Sequence, residues 1–293
     1  MNVTWEQVRA RRLARSRLTD RAASVVEAAR DTCGIQAQLQ AAAEHGLRLR
    51  GAGDVAQALW EDRSLVKTWT LRGTLHIHPA EELLLWTRVA AHADVAPELL
   101  DAFRDALDGR TLLREELADA VGARMGGEAR AKVASGWAYL IGDAAAAGIL
   151  VQGPPRANKV TFVRADQWLG ELREWDTREA LRRYVRTYGP VRDARYLAAS
   201  LDPIRDELVE VRVDGKKAWI VAGDDTFPEL ERSRFLLREY DCYVIGFRER
   251  DVLVPPDVKG QYWDTRWLKK GRYESPVMFK NVLVDGLIAG KWD

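Results

Sequence analysis

Residues 111–163 follow an order that few folds accommodate: helix, turn, helix, hairpin. Thr111 opens a stretch with Leu113, Leu117, Ala120 and Val121 on one helical stripe. Residues 122–127, bounded by Gly122 and Gly127, read as a turn. The next stretch puts Val133, Trp137, Leu140, Ile141 and Ala144 on one face of a helix that Gly148 ends. Two β-rich runs follow, Ile149-Leu150-Val151 and Val160-Thr161-Phe162-Val163, joined by a Gly-Pro-Pro-Arg-Ala-Asn tip. This is the order of a winged helix. Arg156 and Lys159 at its tip are the charges that a wing touching phosphates needs.

The order then repeats. A helix over 178–188 buries Leu181, Tyr184, Val185 and Tyr188, and Gly189-Pro190 turns the chain. A second helix is expected over 191–200. Strands are expected over 207–213 and 216–222, around the hairpin signal Asp214-Gly215. The tail from about Phe227 reads mostly as strand, with short runs at 277–279, 282–284 and 287–292. The N-terminal part is less regular. Thr4 with Gln7, and Ser24 with Glu27, have capping-box spacing and open helices to about Arg17 and Cys33. A helix over 39–50 stops at Gly51, and Asp54 caps the next through Glu61. Two β-rich runs, 66–71 and 74–78, flank Arg72-Gly73 as a hairpin. Pro79 then starts a helix whose buried side carries Leu83, Trp86 and Ala90. The expected fold class is α+β, with three winged-helix-like units in tandem over 1–100, 101–170 and 171–293, the last with a β-rich extension.

Composition narrows the classes. A chain of 293 residues suits two or three compact units, and 47% hydrophobic with 30% charged residues is ordinary for a globular protein. The longest apolar run, 144–151, is too short to cross a bilayer, and the arginine-rich start lacks the apolar block of a secretory signal. Two distant cysteines, Cys33 and Cys242, make no disulfide framework or zinc motif, so a reducing cytoplasm is the expected compartment. Net charge is +1, yet its distribution is uneven. Residues 1–17 hold five arginines against Glu6, residues 153–164 hold three bases and no acid, and residues 259–272 hold five bases against Asp264. Residues 94–128 reverse the sign, with nine acids against four bases. Such stripes make one polyanion-facing side or a merely solvated face.

The candidate chemistry lies in Cys33-Gly34-Ile35-Gln36-Ala37-Gln38. Gly34 ends the preceding helix, so Gln36 and Gln38 fall on a short link before the next. In an extended link, residues two apart point the same way. Two amides then hold a water, a sugar or a base edge, although neither takes a proton as a carboxylate does. The plain alternative is a polar link capping the next helix. Arg72 at its hairpin tip is either a DNA contact or a turn residue. His76 contacts DNA or packs beneath the hairpin. With His78 it could bind metal, but a zinc site needs three or four ligands and only His45 and His92 remain. No metal or cofactor is expected. Cys33 has no base set beside it and reads as a small buried hydrophobe. Lys132 and Arg130 touch phosphate or solvate the surface.

These residues carry a resemblance. The chain is similar to the AlkZ/YcaQ-like winged-helix DNA glycosylase family, which includes the azinomycin-resistance type, over nearly its whole length. The specific parts are Gln36-Ala37-Gln38 and Thr68-Trp69-Thr70-Leu71-Arg72-Gly73-Thr74-Leu75-His76. Weaker matches are Lys159-Val160-Thr161-Phe162-Val163 before Trp168-Leu169, Tyr188-Gly189-Pro190, and Val284-Asp285-Gly286 near Gly290-Lys291-Trp292. The resemblance implies tandem winged helices forming a C-shaped clamp around double-stranded DNA. It also implies hydrolysis of the N-glycosidic bond of alkylated purines. Gln36 and Gln38 match the Gln-Gln form of the active-site signature, which resembles the branch acting on bulky or crosslinked N7-alkylguanine. Arg72, Thr74, His76, Lys132, Arg156 and Lys159 are the expected DNA-binding residues. A monomer is expected. Arg238 and Cys242 depart from the family pattern, where Pro and Asn are more usual.

The chemistry suits two amides. An N7-alkylated guanine carries a positive charge and leaves readily, so catalysis reduces largely to placing a water and favouring an oxocarbenium-like sugar. A neutral base would call for a carboxylate or general acid. Two other functions compete: a non-catalytic winged-helix transcription regulator and a protein-interaction module. A regulator's recognition helix is rich in Arg, Asn and Gln for base edges, whereas residues 129–148 are mostly Ala, Val, Leu and Ile. An interaction module would lack basic wings.

Overall fold

The computed structural model describes residues 1–90, 95–137, 139–247, 250–259, 263–264, 272–273 and 276–293. His92 and most of the basic stretch 259–272 lie outside them. Helices and small, mainly antiparallel sheets alternate, which is an α+β arrangement. The chain divides into two compact units. One comprises Met1–Gly53 with Leu181–Asp293, and the other is Asp54–Ala180. Residues 54–100 thus fall in the same unit as 101–180.

The N-terminal part of the first unit contains β1 (Asn2–Val3), α1 (Trp5–Arg15), α2 (Val25–Asp31), β2 (Ile35–Gln36) and α3 (Gln40–Arg50). Local chemistry sets the starts of two of them. Thr4 and Gln7 form the full capping box of α1, and the Ser24 side chain accepts from the Glu27 N–H at the head of α2.

The second unit contains α4 (Val55–Trp60), β3 (Leu65–Trp69), β4 (Leu75–Pro79), α5 (Leu83–Ala90), α6 (Pro97–Ala106), β5 (Leu112–Leu113), α7 (Arg114–Met125), α8 (Gly127–Ala134), α9 (Tyr139–Ala146), β6 (Leu150–Arg156), β7 (Lys159–Arg164) and α10 (Ala165–Leu169). Asp54 caps α4 through the Gln57 N–H. β3 and β4 pair from Leu65↔Pro79 to Trp69↔Leu75, with Arg72 (φ 60) and Gly73 (φ 66) in the tip. β5, β7 and β6 form a second sheet, turned at Ala157 and Asn158, whose φ values are both positive. The core joins Phe103, Leu107, Leu117, Val121, Ile141, Leu150 and Phe162, all buried.

Several expectations fail here. α6 lies within the acidic block, where no helix is expected from the sequence; Leu99, Ala102, Phe103 and Ala106 form its buried face. α7 begins at Arg114 rather than Thr111, because Leu112 and Leu113 pair with Phe162 and Thr161 of β7. It also runs on to Met125, so the turn is at Gly126 (φ 90). The long helix expected to end at Gly148 breaks after Ala134. Arg114 takes the terminal carbonyls of α8, donating to Val133 O at 3.2 Å and Ser135 O at 2.8 Å. Trp137, expected in the core, is consequently 77% exposed.

α11 (Thr177–Tyr188) leads back into the first unit. It is followed there by β8 (Leu208–Val213), β9 (Lys216–Val221), β10 (Arg234–Leu237), α12 (Cys242–Ile245), α13 (Pro256–Lys259), β11 (Trp263–Asp264), β12 (Arg272–Tyr273), β13 (Asn281–Val284) and β14 (Leu287–Lys291). β8 pairs with β1 in parallel and with β9 antiparallel about Asp214 and Gly215. The expected helix over 191–200 is only a 3-10 turn, Arg195–Leu197. Val191 and Trp219 exchange both backbone hydrogen bonds, at 2.9 and 2.7 Å, which draws the chain into an extended path. The run at 277–279 is likewise a 3-10 turn, Pro276–Met278, and α12 and α13 interrupt the expected strand tail.

A buried ion pair ties α3 to the head of α12. Arg50 donates to Asp241 at 2.9 and 2.7 Å and to Ser16 O and Gly46 O. Burial penalises the guanidinium charge, but Asp241 outweighs that and holds Arg50 protonated. Removing one partner would strand a buried charge, at about 3–5 kcal/mol.

Candidate functional site

Gln36 ends β2, and the turn before it is held from two sides. Cys33 (φ 57) and Gly34 (φ 85) are left-handed, and the Gly34 N–H returns to Ala29 O at 2.8 Å. The C-terminal end of α11 braces the same turn. Thr187 Oγ1 donates to Asp31 O and Tyr188 Oη to Thr32 O, both at 2.7 Å. Burial pushes the Tyr188 phenol well above its usual range, so its proton stays available for that bond. Cys33 is 1% exposed with its Sγ 3.6 Å from Thr187 Oγ1. From the far side, α3 approaches closely: a Cβ on Gly46 would sit 3.4 Å from Ile35 Cδ1.

The two glutamines occupy different environments. Gln36 is 7% exposed and Ala37 is fully buried, whereas Gln38 and Leu39 are exposed. Neither glutamine caps α3. Its N-cap is Leu39, with no side-chain hydrogen bond. Neither is therefore the N-cap residue that the plain alternative calls for. A Leu there also forgoes about 1 kcal/mol that Ser, Thr, Asp or Asn would contribute.

In the second unit, Arg72 is half-buried at its hairpin tip, and Thr74 Oγ1 donates to Leu71 O at 3.0 Å within the turn. His76 and His78 do share one strand face, their rings 5.7 Å apart. Both are fully buried, so His76 packs beneath the hairpin and is not a surface contact in this structure. Burial, then the nearby Arg72 charge, lowers the His76 pKa to about 3. His78 is lowered well below its usual value by burial and by His76. Its Nε2 meets Thr70 Oγ1 at 2.9 Å and its ring stacks on Trp86. Among the described residues, no group of three or more His, Cys, Asp or Glu could hold a metal ion.

The remaining expected contacts are at the surface. Lys132 pairs with Glu128 one turn earlier at 2.8 Å. Arg156 pairs with Glu116 on α7, and hydrogen bonds from the Leu113 N–H and Arg156 lower the Glu116 pKa. Lys159 is exposed and forms no ion pair among the described residues. The second unit thus brings Arg156 and Lys159 together at the turn of one hairpin, where they pair directly. Sequence reasoning missed the partners Thr187, Arg50, Asp241 and Glu116. Only Glu116 had a local signal, its spacing three residues after Leu113.

Comparison with known proteins bears on what these residues do. A family model described as DNA glycosylase AlkZ-like matches residues 29–293. The chain is 30% identical to an interstrand DNA cross-link repair glycosylase of Streptomyces sahachiroi, covering all of this chain and 88% of that protein. It also resembles the solved structure of the Streptomyces sahachiroi DNA glycosylase AlkZ. That match has a TM-score of 0.79 and 26% identity, over 100% of this chain and 88% of the other. No described helix is long and apolar enough to cross a membrane.

Proposed function

Since the chain belongs to the DNA glycosylase AlkZ-like family, we propose that it hydrolyses the N-glycosidic bond of cationic N7-alkylguanine in duplex DNA, bulky or crosslinked adducts included. The observation that carries this reading is the Gln36–Gln38 link itself. It runs from a braced turn to a helix that neither glutamine caps, with one amide buried and one exposed. The lesion class is supported by the activity that gives the Streptomyces sahachiroi relative its name, interstrand DNA cross-link repair.

The atoms balance without a metal or an acid. The C1′–N9 electron pair passes to the purine, cancels its positive charge, and N7-alkylguanine leaves neutral. Water adds to C1′, loses a proton to solvent, and an abasic site remains. Gln36 and Gln38 orient that water and favour the sugar cation through their carbonyl oxygens, and neither needs to ionise. The bond to a neutral base would break poorly, so selectivity for cationic lesions follows from chemistry as well as from fit. The protein acts as a monomer. Winged-helix-like units over 1–100, 101–170 and 171–293 clamp the duplex, with Arg72, Thr74, Lys132, Arg156 and Lys159 as backbone contacts. The hairpin bearing Arg156 and Lys159 supports a wing in the middle unit, whereas the third lacks a regular second helix.

The test is mass spectrometry of bases released from duplexes treated with methylating and bulkier alkylating agents, in the presence of chelator. Wild type is expected to release N7-alkylguanine and leave the strand uncut. Gln36→Ala and Gln38→Ala should each slow single-turnover release by roughly 10²-fold. Their DNA affinity and melting temperature should stay near wild type. Release at the wild-type rate by both variants, or none by wild type, would overturn the assignment.

A further inference from the structure

We propose that Trp137 and the β6–β7 hairpin form one DNA-contacting face of the second unit, with the Trp137 indole stacking on a base that leaves the stack of the duplex. The proposal rests on the DNA glycosylase reading above and adds a binding residue to it. Trp137 is 77% exposed, although its side chain is among the most favourable to bury. Its place is not slack. Arg114 pins the bend by donating to Val133 O and Ser135 O, and the Trp137 N–H meets Ser135 Oγ at 3.2 Å. Arg114 itself lies 5.5 Å from the centre of the buried Phe162 ring on β7. Strand alternation puts Val160 on the Phe162 side of β7, and Val160 is 43% exposed. Arg156 closes the circuit by pairing with Glu116 in the first turn of α7. The bend before Trp137 and the hairpin are thus each tied to the first turn of α7, the one through Arg114 and the other through Glu116.

The composition of this face selects the partner. Trp137 and Val160 are the exposed large apolar residues of the second unit among the described residues. Two side chains are too little for a stable protein interface, which buries about 1,000 Å² or more. Lys159, at the turn of the hairpin, forms no ion pair among the described residues, while the nearby acids are occupied. Glu116 pairs with Arg156, Asp119 with Arg130 and Glu128 with Lys132. An exposed indole on the unit that carries the unpaired Lys159 fits nucleic acid, where rings stack on bases and cations meet phosphates.

The experiment measures affinity for labelled duplex, undamaged and N7-methylated, by fluorescence anisotropy across a salt series. Trp137→Ala should weaken binding about tenfold, the scale of one lost stacking contact. Trp137→Phe should keep most of the affinity. The salt slope of both should match wild type, because no charge is removed. Melting temperature should not change, because the indole is already exposed. Wild-type affinity in Trp137→Ala would overturn the proposal. So would a wild-type dimer that Trp137→Ala converts to monomer, which would make this face a contact between copies. The two readings fail separately: loss of affinity in Trp137→Ala with no base release by wild type would leave this contact standing and remove the glycosylase assignment.

Discussion

His76 is where single-residue chemistry is most exposed to measurement. It is fully buried, its Nδ1 meets Thr74 O at 3.0 Å, and its Nε2 has no hydrogen-bond partner among the described residues. Burial first, and the Arg72 charge second, hold it neutral down to about pH 3. In the unfolded chain the same imidazole titrates near 6.5. The unfolded state therefore binds more protons between those values. The stability linked to His76 is complete above about pH 6.5 and is lost progressively as pH falls toward 3. His78 is shifted the same way and adds to the slope. The urea midpoint should fall between pH 7.5 and 5, and His76→Gln should flatten that fall. An unchanged slope in the variant would mean that other groups set the acid sensitivity. Sequence placed the two rings on one strand face but could not say which side of the sheet water would reach.

At the scale of elements, the turn before Gln36 is the piece whose rigidity has a functional consequence. Tyr188→Phe removes one hydroxyl and leaves the Thr32 carbonyl without that donor, a cost of about 1–3 kcal/mol. Measured well below the melting transition, single-turnover base release should drop several-fold while duplex affinity holds. A lower melting temperature with an unchanged rate would make the brace purely structural. Which elements were legible follows from the range of their signals. The box at Thr4, the caps at Ser24 and Asp54 and the Asp214-Gly215 turn act within three or four residues, and each is present, although at Ser24 the Glu27 side chain takes the Ala23 N–H instead of closing a box. The helix break after Ala134 depends on Arg114, 21 residues from Ser135, and the lost helix over 191–200 depends on Trp219. No periodicity reports such partners.

For the whole molecule, a formal charge of +1 means that DNA affinity has to come from local basic surface rather than net attraction. Duplex affinity should fall linearly as log salt rises, with a slope near 0.9 per phosphate neutralised. Lys159→Ala should reduce that slope by about 0.9, because Lys159 is exposed with no ion pair among the described residues. Titration of binding against salt checks it, and a slope identical to wild type would remove Lys159 from the contact set.

By itself the sequence determined what is local or covalent in origin: the capped helix starts at Thr4, Ser24 and Asp54, the Asp214-Gly215 turn, the uncharged Gln36–Gln38 link and, through its motifs, the family. It also placed Arg156 and Lys159 at one hairpin tip, although the expected Gly-Pro-Pro-Arg-Ala-Asn tip tightens in the structure to a turn at Ala157 and Asn158, which makes the two bases direct partners. Tertiary structure alone decided burial. It put His76 inside and Trp137 outside, paired Arg50 with an aspartate 191 positions away, and set Tyr188 against Thr32 across 156. It also joined Met1–Gly53 with Leu181–Asp293 in one unit. The physical reason is the same in each case. A cap or a turn is satisfied by atoms within one or two turns of chain, whereas desolvation depends on which distant segments come to cover a side chain.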